Sequence, residues 1–343
     1  MKALVFHQHG TLDQVSYTDV PEPQMKPDDV LVQIKTAALN RLDLWVLEGW
    51  SGLNLKLPHI MGSDGAGVIT AVGSQVTNFA IGDRVAINPT LSCGRCYSCQ
   101  TGHDNLCDHF ALLGEHVDGF FADYAAVPTR NLLKMPDEAA FEAAAAASLV
   151  YVTAWHSLIE RGRLQAGESV LIVGAGGGVN TAAIQIAKLA GAGPIYVVGS
   201  DDEKLAHAQE LGADVLINRH KEDWGKAVFK ATQRRGVDIV VDNVGAATYF
   251  ASMRSLKKGG RLLTVGNTSG AQFEFDNRYL FSKQISLIGS SMGTIADYER
   301  VMGLVFNGRL RPIIDSITPL NDGLTALQRL QQGDVIGKLI LTL

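Results

Sequence analysis

The chain has 343 residues, material for about two domains. Hydrophobic residues make up 46% and charged residues 19%, a globular balance that leaves ample apolar material for a large core. A net charge of -5 and no long Lys/Arg run argue against a nucleic-acid surface. The apolar stretch at 3–6 is short and soon broken by His7, His9 and Gly10, unlike a signal peptide. The most apolar segment, 139–149, is interrupted by Glu142 and Ser148 and is too short to span a bilayer. A cytoplasmic protein with no membrane partner is the expectation.

Taken in chain order, the first predicted elements are strands. Residues 30–35 alternate, 65–73 read as a strand bounded by glycines, and 82–87 read as a turn followed by a strand. Short strands separated by Gly, Pro and Asn suggest a barrel-like β domain. A cysteine-bearing loop at 90–110 leaves that domain, and an alanine-rich helix follows near 138–147. From about residue 168 the rhythm changes. Apolar runs at 169–173, 195–198, 215–217, 237–241, 261–265 and 285–288 alternate with helical stretches such as 181–190 and 203–211. That alternation predicts an α/β fold with a Rossmann-type doubly wound parallel sheet. A helix-like segment and a final strand at 337–343 close the chain. The last strand of the sheet, 285–289, would leave an apolar edge, and pairing with its copy in a second subunit would cover it. A homodimer or homotetramer is therefore expected.

All four cysteines, Cys93, Cys96, Cys99 and Cys107, fall in the loop. Two-residue gaps let neighbouring thiolates converge on one tetrahedral centre, and four sulfur ligands leave no open coordination position. A reducing compartment would keep such thiols free for metal, so the reading is one structural zinc ion. The competing reading, a redox disulfide cluster, needs an environment that nothing else in the sequence suggests. His103, His109 and His116 adjoin the loop and are read as solvent or packing residues, since four thiolates suffice.

The run Gly174, Gly176, Gly177, Gly178, Val179 and Asn180 joins the first strand of the α/β pattern to a helix. Glycines there allow a tight turn and let backbone N–H groups approach a pyrophosphate at the positive helix end. The loop departs from G-x-G-x-x-G, with Asn180 standing in for the last glycine. At the tip of the second strand Gly199 and Ser200 replace the acidic residue that would bind a ribose 2′-hydroxyl, and Lys204 and Arg219 are candidate cations for a 2′-phosphate. The pattern favours NADPH, with NADH open because Asp201 or Asp202 could bind a hydroxyl.

Residues 62–67, 82–85, the cysteine lobe, the glycine loop, 241–245 and Gly337-Lys338 together resemble the medium-chain dehydrogenase/reductase family, which includes zinc alcohol dehydrogenases and quinone reductases. The resemblance covers essentially the whole chain. It implies a GroES-like β-rich catalytic domain at 1–149 and 292–343, and a Rossmann dinucleotide-binding domain at 150–291. It also implies a second, catalytic zinc in the alcohol dehydrogenases, held by a Cys, the His of a Gly-His-Glu motif, and a Cys or Asp. Here those positions fall on Asn40, Ser63 (in Gly62-Ser63-Asp64) and Leu149, none with a thiolate or imidazole. A residual metal site built from Asp43, His59, Asp64 or Glu115 lacks compact ligand spacing.

Without a Lewis-acid metal, alcohol oxidation is disfavoured and substrates that accept hydride readily are favoured. The resemblance thus implies an NAD(P)H-dependent quinone or α,β-unsaturated carbonyl reductase acting on a small-molecule carbonyl compound. Alternatives are an alcohol or aldehyde dehydrogenase with an atypical metal site, or a nicotinamide-binding structural or regulatory protein. Asn40, Ser63 and Asp64 are the candidate catalytic residues, although Asn40 could be a turn cap and Asp64 a structural carboxylate. Thr153 resembles the family threonine near the nicotinamide. Asn243, Gly245 and Gly266 lie at the ends of later strands, where cofactors bind in such sheets. Trp45, Trp50, Leu53 and Leu55 could wall a substrate pocket or simply pack in a core.

Overall fold

The alternating run at 30–35 forms the middle of a longer strand, Asp29–Ala38, around which the first part of the chain is organised. The computed structural model describes all 343 residues, and its contacts divide them into two units, Met1–Leu149 with Thr294–Leu343, and Val150–Gly293.

In the first unit, Asp29–Ala38 pairs along one edge with Asp64–Val72. Along the other edge it pairs first with Tyr124–Pro128 and then with the C-terminal strand Lys338–Thr342. The register sets Ala38 opposite both Asp64 and Ile340, and the Leu39 amide donates to the Leu339 carbonyl at 2.9 Å. Asn40, just beyond the strand, therefore meets Asp64 from one neighbour and Lys338 from the other. Alternate residues of these strands face a shared core that includes Phe6, Ile34, Ile69, Val85, Phe120, Phe121 and Leu341. Burying each such side chain contributes about 1.5–3 kcal/mol, which is what makes the strand register strongly specified. Leu53 and Leu55 pack on this core, whereas Trp50 is exposed. The alanine-rich helix runs Phe141–Ser148, with small side chains that let it lie close to the sheet.

In the second unit, six parallel strands lie in the order Val215–Asn218, Ile195–Gly199, Val170–Val173, Val237–Asp242, Leu256–Thr264, Ser286–Gly289. The inner strands are apolar and fully buried because helices cover both faces of such sheets. The predicted run at 261–265 is the end of a longer strand whose polar beginning, Lys257-Lys258-Gly259-Gly260, hides it from a hydrophobicity reading. The strand order reverses direction at Val170–Val173, and ligands of open α/β sheets bind outside the carboxyl ends of strands at such a point. Ser286–Gly289 pairs with one strand only, and Leu287 on it is 39% exposed. No helix is long and apolar enough to cross a membrane.

Candidate functional site

The cysteine loop leaves the first unit through the short strands Thr90–Leu91 and Ala111–Leu112. Buried Asn131 ties its start, donating through Nδ2 to the Asn88 and Thr90 carbonyls at 2.8 Å each. The Asp104 carboxylate holds its far side by accepting the Ile295 N–H. Within this frame the Sγ atoms of Cys93, Cys96, Cys99 and Cys107 all lie within 4.8 Å of one another. Three of the separations are 3.9, 3.5 and 3.8 Å. A tetrahedral zinc with bonds near 2.3 Å requires sulfur–sulfur distances of about 3.8 Å. A disulfide would need about 2.05 Å, so all four thiols are free and their spacing fits an S4 metal centre. The amides of Cys93, Cys96 and His109 donate to Cys107, Cys93 and Cys107 sulfurs at 3.2–3.3 Å. Such amides pull the Cys93 thiol down to about 6, while burial beside other thiols pushes Cys99 up to about 11. A dication would reverse the latter and hold all four as thiolates. His116 accepts the Leu112 N–H, and His103 contacts Thr101, so neither joins the sulfurs.

The strand register brings Asn40, Asp64 and Lys338 into one buried cluster. Lys338 Nζ donates to Asn40 Oδ1 at 2.5 Å and lies 3.0 Å from Asp64 Oδ2. Asn40 Nδ2 donates to the same Asp64 oxygen at 2.9 Å, and to the Ala38 carbonyl at 3.4 Å. The Asn40 backbone N–H donates to Asp43 Oδ2 at 2.7 Å, the reciprocal contact of a helix cap at the start of Arg41–Glu48. Lys338 is 3% exposed and Asp64 0%. Burial pushes Asp64 upward, opposed by the Lys338 charge and the Asn40 amide. Burial likewise raises Asp43 to about 7, against the Asn40 N–H and the Lys338 charge.

The Asn40 side chain is engaged within the fold: both N–H bonds of its amide have partners there, and its oxygen accepts from Lys338. Ser63 differs: it is fully buried and its hydroxyl has no partner. The Leu149 backbone amide lies close enough to favour the Asp64 carboxylate, but its side chain brings no ligand. Of the remaining acid and imidazole candidates, His59 bonds the Gly114 carbonyl and faces Asp118, and Glu115 faces His116. The donors at 40, 63 and 149 do not fit a catalytic zinc, and an internal ammonium already neutralises the carboxylate beside them. Sequence reasoning missed Lys338 as a site residue. The available signal was a cation opening an otherwise apolar terminal strand.

In the second unit the glycine run joins the strand Val170–Val173 to the helix Gly178–Leu189. Gly174 has φ +114°, and a Cβ there would lie 2.4 Å from Asn180 Nδ2. Gly177 caps the helix Gly178–Leu189, whose first-turn N–H groups, Val179 included, fit a pyrophosphate. Asn180 Nδ2 donates to the Val173 carbonyl at 3.1 Å, and Asn180 Oδ1 accepts from Asn243 Nδ2 at 3.0 Å. Asn243 Oδ1 in turn accepts the Val265 N–H at 3.2 Å. Two asparagines thus lace together the carboxyl ends of three strands, positioning the loop through their side chains. Gly245, at φ +96°, and Gly266 lie in the loops beyond those strand ends. Thr153 is buried with its hydroxyl 3.7 Å from Met292 Sδ. At the second strand tip, Ser200 donates to Asp201, and Asp201 accepts the Lys204 N–H as a helix cap. Lys204 Nζ lies 3.8 Å from Asp201, and the Arg219 amide donates to the Gly199 carbonyl.

Residues 26–137 match the alcohol dehydrogenase GroES-like domain family, and residues 178–307 the zinc-binding dehydrogenase family. The chain is 31% identical to an acryloyl-coenzyme A reductase of Metallosphaera sedula over 343 residues, spanning 100% of both proteins. It is also 31% identical to an NAD-dependent alcohol dehydrogenase of Sulfurisphaera tokodaii, over 94% of this chain and 95% of that protein. Among solved structures, an NAD-dependent alcohol dehydrogenase superposes with TM-score 0.96 at 39% identity, with 100% of both chains covered. The alcohol dehydrogenase of Aeropyrum pernix superposes with TM-score 0.93 at 29% identity, again over 100% of each. The chain belongs to the zinc-containing alcohol dehydrogenase family of medium-chain dehydrogenase/reductases, a family of oxidoreductases.

Proposed function

We propose that this protein is an NADPH-dependent reductase of α,β-unsaturated carbonyl compounds or quinones that carries one structural zinc and no catalytic metal. The observation that carries the reading is the buried Asn40–Asp64–Lys338 cluster, where hydrogen bonds from an amide and an ammonium occupy the carboxylate. With no metal-ligand set there, the chain offers no Lewis acid to stabilise an alkoxide. Acceptors that delocalise charge onto an oxygen need none. The similarity to acryloyl-coenzyme A reductases over their full length supports the unsaturated class.

When bound, the nicotinamide supplies the hydride. The protein's part is binding and orientation. The glycine loop and the first turn of Gly178–Leu189 receive the pyrophosphate, and Asn180 and Asn243 fix the loop between strand ends. Lys204 and Arg219 are the cations for a 2′-phosphate. Asp201 supports NADPH by default, since its carboxylate already accepts from Ser200 and the Lys204 N–H. The exposed Leu287 on a strand with one unpaired edge supports a homodimer or dimer of dimers built on that strand.

The names of several relatives favour a second reading, an NAD-dependent alcohol dehydrogenase. One experiment separates the two. Oxidation of NADPH and NADH is followed with a panel of enones, quinones and aldehydes, and zinc per chain is counted on the same preparation. The proposal expects enone or quinone turnover with one zinc. Two zincs together with alcohol or aldehyde turnover would overturn it, and tight nucleotide binding with no turnover would point to a non-enzymatic role.

A further inference from the structure

Lysine ammonium groups are strongly hydrated and rarely fully buried unless paired. Lys338 is nonetheless 3% exposed, and Gly337 before it takes φ +86° and passes the Ile313 carbonyl where a Cβ would sit at 2.2 Å. Its head meets groups from two other chain segments, Asn40 and Asp64, and their chemistry fixes every orientation. An ammonium only donates, so the Asn40 atom facing it must be the amide oxygen. The NH2 group is then committed to Asp64, which accepts from both. A buried ion pair is a weak source of stability compared with apolar packing of the same volume. Stability alone is therefore a weak reason for placing an ammonium here.

We propose that Lys338 is a positioning residue for the reaction, the fixed positive charge that holds the Asn40 amide and the Asp64 carboxylate, next to Ser63, in one arrangement. The inference rests on the reductase reading above. Without Lys338, the Asn40 oxygen loses its partner and the amide is held only through its NH2 group, by Asp64 and the Ala38 carbonyl, and Asp64 loses the two strongest influences that favour its charged form apart from Asn40 itself. The charged or titratable groups facing this cluster are Asp43 from the helix Arg41–Glu48, Asp64 at the start of its strand, and Tyr298 from the helix Ile295–Phe306. Tyr298 feels the Asp64 charge and bonds Ser148 at 3.3 Å.

The test compares wild type with Lys338→Met, Lys338→Arg and the double variant Lys338→Met/Asp64→Asn, using NADPH and the best enone or quinone of the panel. Zinc content and thermal unfolding establish that each variant is folded. Lys338→Met is expected to lose about 100-fold in kcat/KM, the scale of a 1 Å misplacement, with NADPH affinity within a factor of about 3. Its acid limb should move to higher pH, since Asp64 then holds its proton more tightly, and Lys338→Arg should recover most of the rate and the original profile. The double variant, which leaves no unpaired charge, should recover most of the wild-type stability yet stay slow. If Lys338→Met does not fold, the double variant decides. A folded variant lacking the ammonium with wild-type kcat/KM and pH profile would overturn the proposal while leaving the reductase reading intact. A wild type inactive on the whole panel would overturn both.

Discussion

The first unit contains two places that concentrate charge-bearing ligands, the cysteine lobe and the Asn40–Asp64–Lys338 cluster, and they handle positive charge in opposite ways. In the lobe, four sulfurs converge within 4.8 Å, the donor set of a metal ion that brings its own positive charge. In the cluster, the cation is part of the chain, 3.0 Å from the carboxylate it neutralises. The lobe is built from residues 93–107 and is a local device. The cluster is assembled from positions up to 298 residues apart and exists only when the sheet has formed. One site is made by metal, the other by register.

The largest expected effect follows from breaking the lobe. Replacing Cys96 by Ser, or stripping the metal with a strong chelator, removes the centre around which a loop with little core of its own is folded. Structural zinc sites couple binding directly to folding. A loss of several kcal/mol, seen as a fall of about 10 °C in the unfolding midpoint, is expected. Zinc counted by native mass spectrometry should drop from one per chain to none. Unchanged unfolding in a zinc-free protein would mean the sulfurs do not organise the lobe.

Breaking the cluster should cost less and, unlike the lobe, should be repairable without metal. Lys338→Met alone leaves Asp64 buried and unpaired, which costs about 3–5 kcal/mol. Adding Asp64→Asn removes the orphaned charge and should restore most of that stability. The coupling is read as a double-mutant cycle in urea. Additive losses would show that the two side chains stabilise the fold independently, against the short contact between them.

The same contrast explains what could be read in advance. The lobe was legible because its ligands are close in sequence and cysteine has few other uses at such spacing. The parallel sheet was legible because strands buried on both faces leave apolar runs, and only Leu256–Thr264 was shortened, by its polar first half. Asn40, Ser63 and Asp64 were picked out by residue type and position. How the Asn40 amide was engaged depended on Asp64 and on a lysine almost 300 residues away, and no local pattern encodes an antiparallel register between Ala38 and Ile340. Asn180 and Asn243 illustrate the same limit: each was legible as a loop residue, but their mutual hydrogen bond follows from strand order.

The smallest effect concerns Asp43, which gives the cluster one more carboxylate than its single ammonium can neutralise. Burial lifts its folded value to about 7, while an unfolded Asp titrates near 4. The folded state therefore binds this proton more tightly than the unfolded state. Below pH 4 both states are protonated and the fold bears no cost from this group. As pH rises from about 4 to about 7, the unfolded chain ionises first and stability declines. Above 7 the folded protein carries the full penalty. Asp43→Asn removes the titration but keeps an acceptor for the Asn40 N–H. It should leave stability near pH 4 almost unchanged and raise it by about 1–2 kcal/mol at pH 8, less than the full shift implies because a neutral amide oxygen is a weaker acceptor for the Asn40 N–H than the carboxylate. Urea midpoints for both proteins at pH 4.5 and pH 8 measure the difference. A gap of equal size at both values would mean that Asp43 is ionised throughout, and that the cluster accommodates two charged carboxylates around one lysine.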